Sequence, residues 1–289
     1  MVVLVAKEWH PLRDKHQRIV DPWITPRLER RGKQQKHPVD DFLFEYYPIS
    51  PKKLRNWHPG LGRSLEATYD DFEALSDSRY DFTNGVIGVK SQWLDEVQVS
   101  AQRTSDFLTA TNLRPARSGC FGLHEWAMVL GLDDVRHDAW PLRLSQAEIK
   151  ATIDEQGLRC SHFDAFRFFT DEARPLNPLQ LARIDQFEQE QPGCLHANMD
   201  LYKYAQQLAP IVGSDIIRDA FELARDIRLV DMQVAPYDLR ELGVHPIPVE
   251  TTEGRTEFVV RQREFSLRAN ALRTRIISAI EALTRVSVD

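Results

Sequence analysis

Three short segments each place a histidine just after a cysteine and beside an acid. They are Cys120 with His124 and Glu125, Cys160 with His162 and Asp164, and Cys194 with His196 and Asp200. Imidazole with carboxylate is a donor set for zinc, iron or manganese, and thiolate with imidazole suits zinc. Without a metal, the same pairs serve as general acids and bases. His124, His162 and His196 are therefore candidate ligands of a divalent metal, provided that the fold brings their segments together. If the chain is helical from about Leu195 to Leu208, His196 and Asp200 stand one turn apart and share a face with Lys203. Asp200 then orients the imidazole or completes a chelate. The plainer alternative for each cluster is a His–acid bond that satisfies two half-buried groups.

Other segments could shape a pocket around such groups. Trp57-His58-Pro59-Gly60 is a stiff loop whose glycine permits close backbone approach. Arg114-Pro115-Ala116-Arg117-Ser118-Gly119 could present guanidinium groups and amides to an anion, although both segments also read as ordinary surface turns. Arg228 precedes Asp231 by one helical turn, beside an apolar stripe of Leu223, Ile227 and Val234. A carboxylate there is either a paired structural ion or a base with a raised pKa. Neither a P-loop nor a dinucleotide fingerprint occurs, so no nucleotide cofactor is expected.

The elements that must position these groups read as mainly α, in a single compact helical domain over residues 1–289 with a small β-hairpin. Lys7 to about Val20 and Pro26 to about Lys36 read as two helices, the second capped by Thr25. Ser50-Pro51 starts another. Thr83-Asn84-Gly85, between Arg79-Tyr80-Asp81-Phe82 and Val86-Ile87-Gly88-Val89, is the strongest hairpin signal. Lys90 to about Thr111 reads as a long helix, and Leu142-Arg143-Leu144 as a short strand. Ser145-Gln146-Ala147-Glu148 forms a capping box opening a helix that Gly157 ends. Asn177-Pro178 reads as another helix start. Helices are also expected over about Leu195–Leu208, Ser214–Val234 and Thr256–Leu283, the last with an apolar stripe of Phe258, Phe265, Leu272, Ile276 and Ile280.

The 289-residue chain is 42% hydrophobic and 28% charged, which excludes disordered, collagen-like and coiled-coil classes. The N-terminal apolar run Val2–Ala6 is too short for a membrane span or a signal segment, so no membrane partner is expected. Three cysteines do not make a disulfide framework, which points to a reducing cytoplasm. The net charge of −6 is unevenly spread: residues 1–63 carry 13 Lys/Arg against 7 Asp/Glu. In the basic helical N-terminal part, at about residues 7–36, the ten residues 27–36 hold Arg27, Arg30, Arg31, Lys33 and Lys36 opposed only by Glu29. Such a stretch attracts phosphate locally, or is simply a solvated helix face.

Several long motifs resemble an actinobacterial family labelled 3-methyladenine DNA glycosylase. They include His37-Pro38-Val39-Asp40-Asp41-Phe42-Leu43-Phe44, Trp57-His58-Pro59-Gly60, Phe121-Gly122-Leu123-His124-Glu125-Trp126 and Cys160-Ser161-His162-Phe163-Asp164. Gln191-Pro192-Gly193-Cys194-Leu195-His196-Ala197-Asn198-Met199-Asp200 and Asp231-Met232-Gln233-Val234-Ala235-Pro236-Tyr237 belong to the same set, and the resemblance runs from about residue 7 to 283. It implies a hydrolase of DNA repair that excises an alkylated purine from double-stranded DNA and needs no cofactor. No helix-hairpin-helix signature accompanies these motifs, so no catalytic residue transfers from that glycosylase group.

Under the glycosylase reading, Asp164, Asp200 or Glu125 stabilises the sugar cation or activates water, with His196 as the acid–base partner. Trp57 and Trp126 would stack the base, with His58, Arg117, Lys203 and Tyr237 as further substrate contacts. The basic stretch, with Arg261, Arg263, Arg268, Arg273 and Arg275, would hold phosphates. Two alternatives stand beside it. One is a metal-dependent or acid–base enzyme on a small molecule, using His124, His162, His196 and nearby carboxylates. The other is a non-catalytic helical binding protein.

Overall fold

The computed structural model describes residues 2–132 and 140–286. Among them are twelve α-helices and one four-stranded sheet, so the chain is mainly α. No helix of the described residues is long and apolar enough to cross a membrane. The chain divides into two compact units. Unit 1 comprises residues 1–109, 201–222 and 271–289; unit 2 comprises residues 110–200 and 223–270.

Unit 1 opens with β1 (Val2–Leu4), the apolar run whose brevity argued against a membrane segment, and continues into α1 (Ala6–Gly32). Two helices were expected here, yet α1 runs unbroken through Pro11, Pro22 and Pro26. Each proline removes one backbone bond. Burial of Trp9, His16, Val20 and Ile24 along one face holds the helix together across those gaps. Thr25 is consequently an internal residue and not a cap.

Short helices α2 (Phe42–Tyr46) and α3 (Pro51–Arg55) follow, the latter capped as expected by the Ser50 side chain. Strand β2 (Arg63–Glu66) and helix α4 (Tyr69–Leu75), with its Thr68 capping box, were not legible beforehand. The expected hairpin forms as β3 (Tyr80–Thr83) and β4 (Val86–Val89). Asn84 and Gly85 both take positive φ, 52° and 79°, as a tight turn between twisted strands demands. Strand order is β1-β2-β4-β3, with β1 parallel to β2 and the other pairs antiparallel. Trp9, Leu65, Tyr80 and Ile87 form its core, with α5 (Ser91–Leu113) next in the chain.

The basic stretch of α1 is partly neutralised inside unit 1. Arg30 donates to the buried Asp41 carboxylate, with Nε 3.1 Å from Oδ1, and Arg27 reaches Asp41 and Glu45 at 3.3 and 3.2 Å. Arg31, Lys33 and Lys36 remain exposed.

His58 is buried, its Nδ1 3.0 Å from the Tyr80 hydroxyl. Burial pulls its pKa down to about 3, and the Arg79 guanidinium pushes the same way. The unfolded chain therefore binds this proton more tightly than the folded one. The neutral imidazole's contribution is complete above the unfolded pKa of about 6.5 and is lost as pH falls toward the folded value, at up to ~1.4 kcal/mol per unit. Urea unfolding of His58→Gln between about pH 7 and pH 4.5 should then show a shallower pH slope than the parent. Equal slopes would remove His58 as the source of acid lability.

In unit 2, α6 (Leu123–Ala127) is a fully buried turn of helix that carries His124 and Glu125. Helix α7 (Gln146–Gln156) has the Ser145 capping box and the Gly157 stop read from the sequence. Leu142 makes only an isolated bridge to Tyr237, so the short strand expected there does not form. The helix expected at Asn177-Pro178 does not form either. Asn177 is buried, and its side chain binds Cys160 instead: it accepts from the backbone N–H at 2.8 Å and donates to the carbonyl at 3.1 Å. A side chain spent on a distant loop does not cap a helix. His162 is the residue that leads into α8 (Phe163–Phe166), and α9 (Gln186–Gln189) precedes Glu190. Helices α10 (Leu195–Gln207), α11 (Ser214–Val234) and α12 (Thr252–Val286) follow close to their expected bounds. The α12 stripe of Phe258, Phe265, Leu272, Ile276 and Ile280 is buried throughout.

Gly122, just before α6, has φ +71°, and a Cβ there would lie 2.3 Å from Val234 Cγ2. Gly122→Ala should cost about 2–4 kcal/mol, from left-handed strain plus overpacking. Gly243, with φ +73° and nothing within 4 Å of such a Cβ, isolates the strain alone. Equal losses of stability for the two alanine variants would show that the close approach to Val234 is harmless.

Candidate functional site: a buried histidine–carboxylate cluster

The three histidines converge in unit 2. His124 comes from α6, His162 from the residue that leads into α8, and His196 from the first turn of α10. The rings of His124 and His196 meet edge to face with centroids 4.5 Å apart; those of His162 and His196 stack at 5.3 Å. All three are at least nine-tenths buried. They line a cavity of about 510 Å³ together with Cys120, Cys160 and Cys194.

The carboxylates sort into two groups. His124 Nε2 lies 2.8 Å from Asp231 Oδ1, while Arg228 donates to Asp231 Oδ2 at 2.7 Å and to Glu125 Oε1 at 2.9 Å. The donor atoms of His124, His196 and Asp231 all lie within 4.8 Å of one another. His162, Glu190 and Asp200 form a second set with the same property, His162 Nδ1 standing 3.0 Å from Glu190 Oε1. The i,i+4 pair read on α10 is thus divided: His196 joins the first set and Asp200 the second.

Electrostatics separate the groups further. Burial by itself pulls the His124 imidazolium down, but the Asp231 carboxylate more than offsets this and leaves the pKa well above its ordinary value. Burial and the neighbouring His124 charge hold His196 well below it. Asp231 resists the upward pull of burial because His124 and Arg228 stabilise its anion. Burial pushes the Cys160 and Cys194 thiols up.

The remaining expected site residues are dispersed. Glu125 is buried in its ion pair with Arg228. Asp164 pairs with Arg183 at 2.6 Å and Arg167 at 3.3 Å and does not line the cavity. Trp126 is fully buried, its Nε1 donating to the Val234 carbonyl, so no ligand face is exposed. Tyr237 is buried at its bridge to Leu142. Trp57 lies in unit 1, stacked on Trp9 with centroids 6.1 Å apart, and His58 is in the same unit. Lys203 also falls in unit 1, with Nζ 4.7 Å from the Tyr204 ring centroid. Arg117 does line the cavity, and Arg159 joins it there; both are exposed.

Several arginines expected to hold phosphate have other work. Arg268 pairs with Asp226 at 2.7 Å, Arg275 with Asp215 at 2.9 Å, and Arg273 is fully buried.

Sequence reasoning did not single out Glu190, Gln191 or Gln262. Gln191 Oε1 accepts from the Arg117 and Gly193 backbone N–H groups at 2.8 and 2.7 Å, and Gln262 Nε2 donates to the Gly193 carbonyl at 2.7 Å. These amides fix the turn that leads into Cys194 and His196. A Cβ on Gly193 would fall 2.5 Å from the Arg117 carbonyl, so only glycine fits this close approach. The available signal was the acid Glu190 just before a Pro-Gly break that opens a histidine-bearing helix.

No protein-family profile matches the chain, and neither a curated protein nor a solved structure matches it.

Proposed function

We propose that unit 2 is a metal-dependent enzyme acting on a small molecule in the histidine-lined cavity. The observation that carries this reading is the buried triad of His124, His196 and Asp231, with donor atoms mutually within 4.8 Å and both imidazoles lining the cavity. Two imidazoles and one carboxylate form the donor set of open divalent sites, whose remaining positions take water and substrate. Arg228 engages Asp231 Oδ2 and leaves Oδ1 toward His124, the kind of outer contact that orients a ligand. His124, His196 and Asp231 would hold the cation, which would supply Lewis acidity toward water or a substrate oxygen. A cavity of about 510 Å³ suits a small-molecule substrate.

Elemental analysis of protein purified without a histidine tag tests the reading. Zinc, iron or manganese is expected in at least about equimolar amount, and His196→Ala should reduce it. Well-folded parent protein that retains no divalent metal after incubation with each would sink the proposal.

The resemblance to glycosylases supports a second proposal, excision of an alkylated purine from DNA. Arg117 and Arg159 favour it, since both are exposed on the cavity lining and make no ion pair among the described residues. Such guanidinium groups suit a phosphodiester flanking a flipped base. Release of methylated purine from alkylated duplex DNA is the direct assay, with Asp200→Asn expected to slow it more than Asp164→Asn. Charge reversal of Arg31, Lys33 and Lys36 should flatten the salt dependence of DNA binding. Failure of the parent to bind duplex DNA at low salt would end this reading.

A further inference from the structure

We infer that His162, Glu190 and Asp200 hold a second divalent cation, so that a two-metal centre borders the cavity through its histidines. This rests on the reading of His124, His196 and Asp231 as a first metal site. Three separate stretches supply the new set: the residue leading into α8, the residue after α9, and the second turn of α10. Their relative exposures are 0, 1 and 1%, and their donor atoms lie within 4.8 Å of one another. This is therefore an interior arrangement built by the fold, unlike the exposed acidic clusters that gather on helix surfaces.

Glu190 also accepts from the Gln186 side-chain amide, and the fold brings its carboxylate and that of Asp200 together with the His162 imidazole in the interior. A divalent ion among the three donors would bind both carboxylates and the imidazole at once. The donor types, one imidazole nitrogen and two carboxylate oxygens, suit manganese, iron or zinc. The position argues for a joint centre. His196, assigned to the first set, stacks on His162 of the second at 5.3 Å while meeting His124 edge on at 4.5 Å. Each set also contributes imidazole to the same cavity lining.

A pair of cations there would act on one substrate oxyanion or one bridging water, the arrangement used to displace groups at phosphorus or carbonyl carbon. Exposed Arg117 and Arg159 on the same lining suit an anionic substrate. The substrate class inferred is therefore a small phosphate or carboxylate derivative.

The test is metal stoichiometry of the full chain, loaded in turn with Mn²⁺, Fe²⁺ and Zn²⁺, desalted and measured by mass spectrometry of the elements. About two ions per chain are expected in the parent, a readout that needs no variant to fold. Glu190→Gln and Asp200→Asn, checked by circular dichroism, should each leave about one, and so should Asp231→Asn. One ion per chain, unaffected by Glu190→Gln but lost in Asp231→Asn, would overturn the second site and leave the first. One ion lost in Glu190→Gln but kept in Asp231→Asn would overturn the first site and the two-metal centre with it, leaving a single site at His162, Glu190 and Asp200. No ion at all would overturn both.

Discussion

Arg228→Met will lower the unfolding free energy by about 3–5 kcal/mol, the cost typical of removing one partner from a buried charge network. Arg228 is 1% exposed and donates to both Glu125 and Asp231. Its loss takes the guanidinium from both buried carboxylates and leaves the Asp231 charge to His124. Methionine approximates the volume, so the effect reports the charge more than a cavity. The triple variant Arg228→Met with Glu125→Gln and Asp231→Asn removes the stranded charges together. It should recover a large part of the loss, because contacts within one network are not additive. Chemical denaturation of the parent, the single variant and the triple variant checks this. A loss under about 1 kcal/mol for Arg228→Met would mean that water reaches the network.

Asp231→Asn should weaken divalent-metal binding at the first site by on the order of 100-fold or more, since even outer-shell substitutions cost 10–100-fold. The amide keeps the shape but loses the charge that stands 2.8 Å from His124 Nε2. It also removes the cause of the raised His124 pKa, so this imidazole titrates at lower pH in the variant. Competition with a chromophoric chelator reads the affinity, and the histidine proton resonances read the titration. Glu125→Gln is the contrast: Glu125 meets Arg228 but belongs to neither donor set, so its metal affinity should change much less. Equal effects of the two variants would mean that the carboxylates act through the general field and not through coordination.

Local chemistry made part of this molecule legible beforehand. Ser145-Gln146-Ala147-Glu148 and Gly157 bounded α7 correctly because a capping box satisfies amides within four residues of chain. Asn84-Gly85 announced its hairpin because both residues tolerate positive φ. The α12 stripe pointed inward as its period required. Where local rules failed, distant packing had overridden them. Prolines suggested a break in α1, yet one buried face carried the helix through. Asn177 looked like a helix start, yet its side chain was committed to Cys160.

The candidate site divides along the same line. The sequence by itself determined which groups were available: three histidines each trailing a cysteine, with acids beside them. It also marked Arg228 and Asp231 as a pair one turn apart. Only the tertiary structure decided which acid serves which imidazole. His196 stands one turn from Asp200 on α10 but joins His124 and Asp231, while Asp200 joins His162 and Glu190. Helical spacing fixes which residues share a face, but partners across a core are chosen by how separate elements pack. Residues 107 positions apart, such as His124 and Asp231, meet only because α6 and α11 bury their apolar neighbours in the same interior.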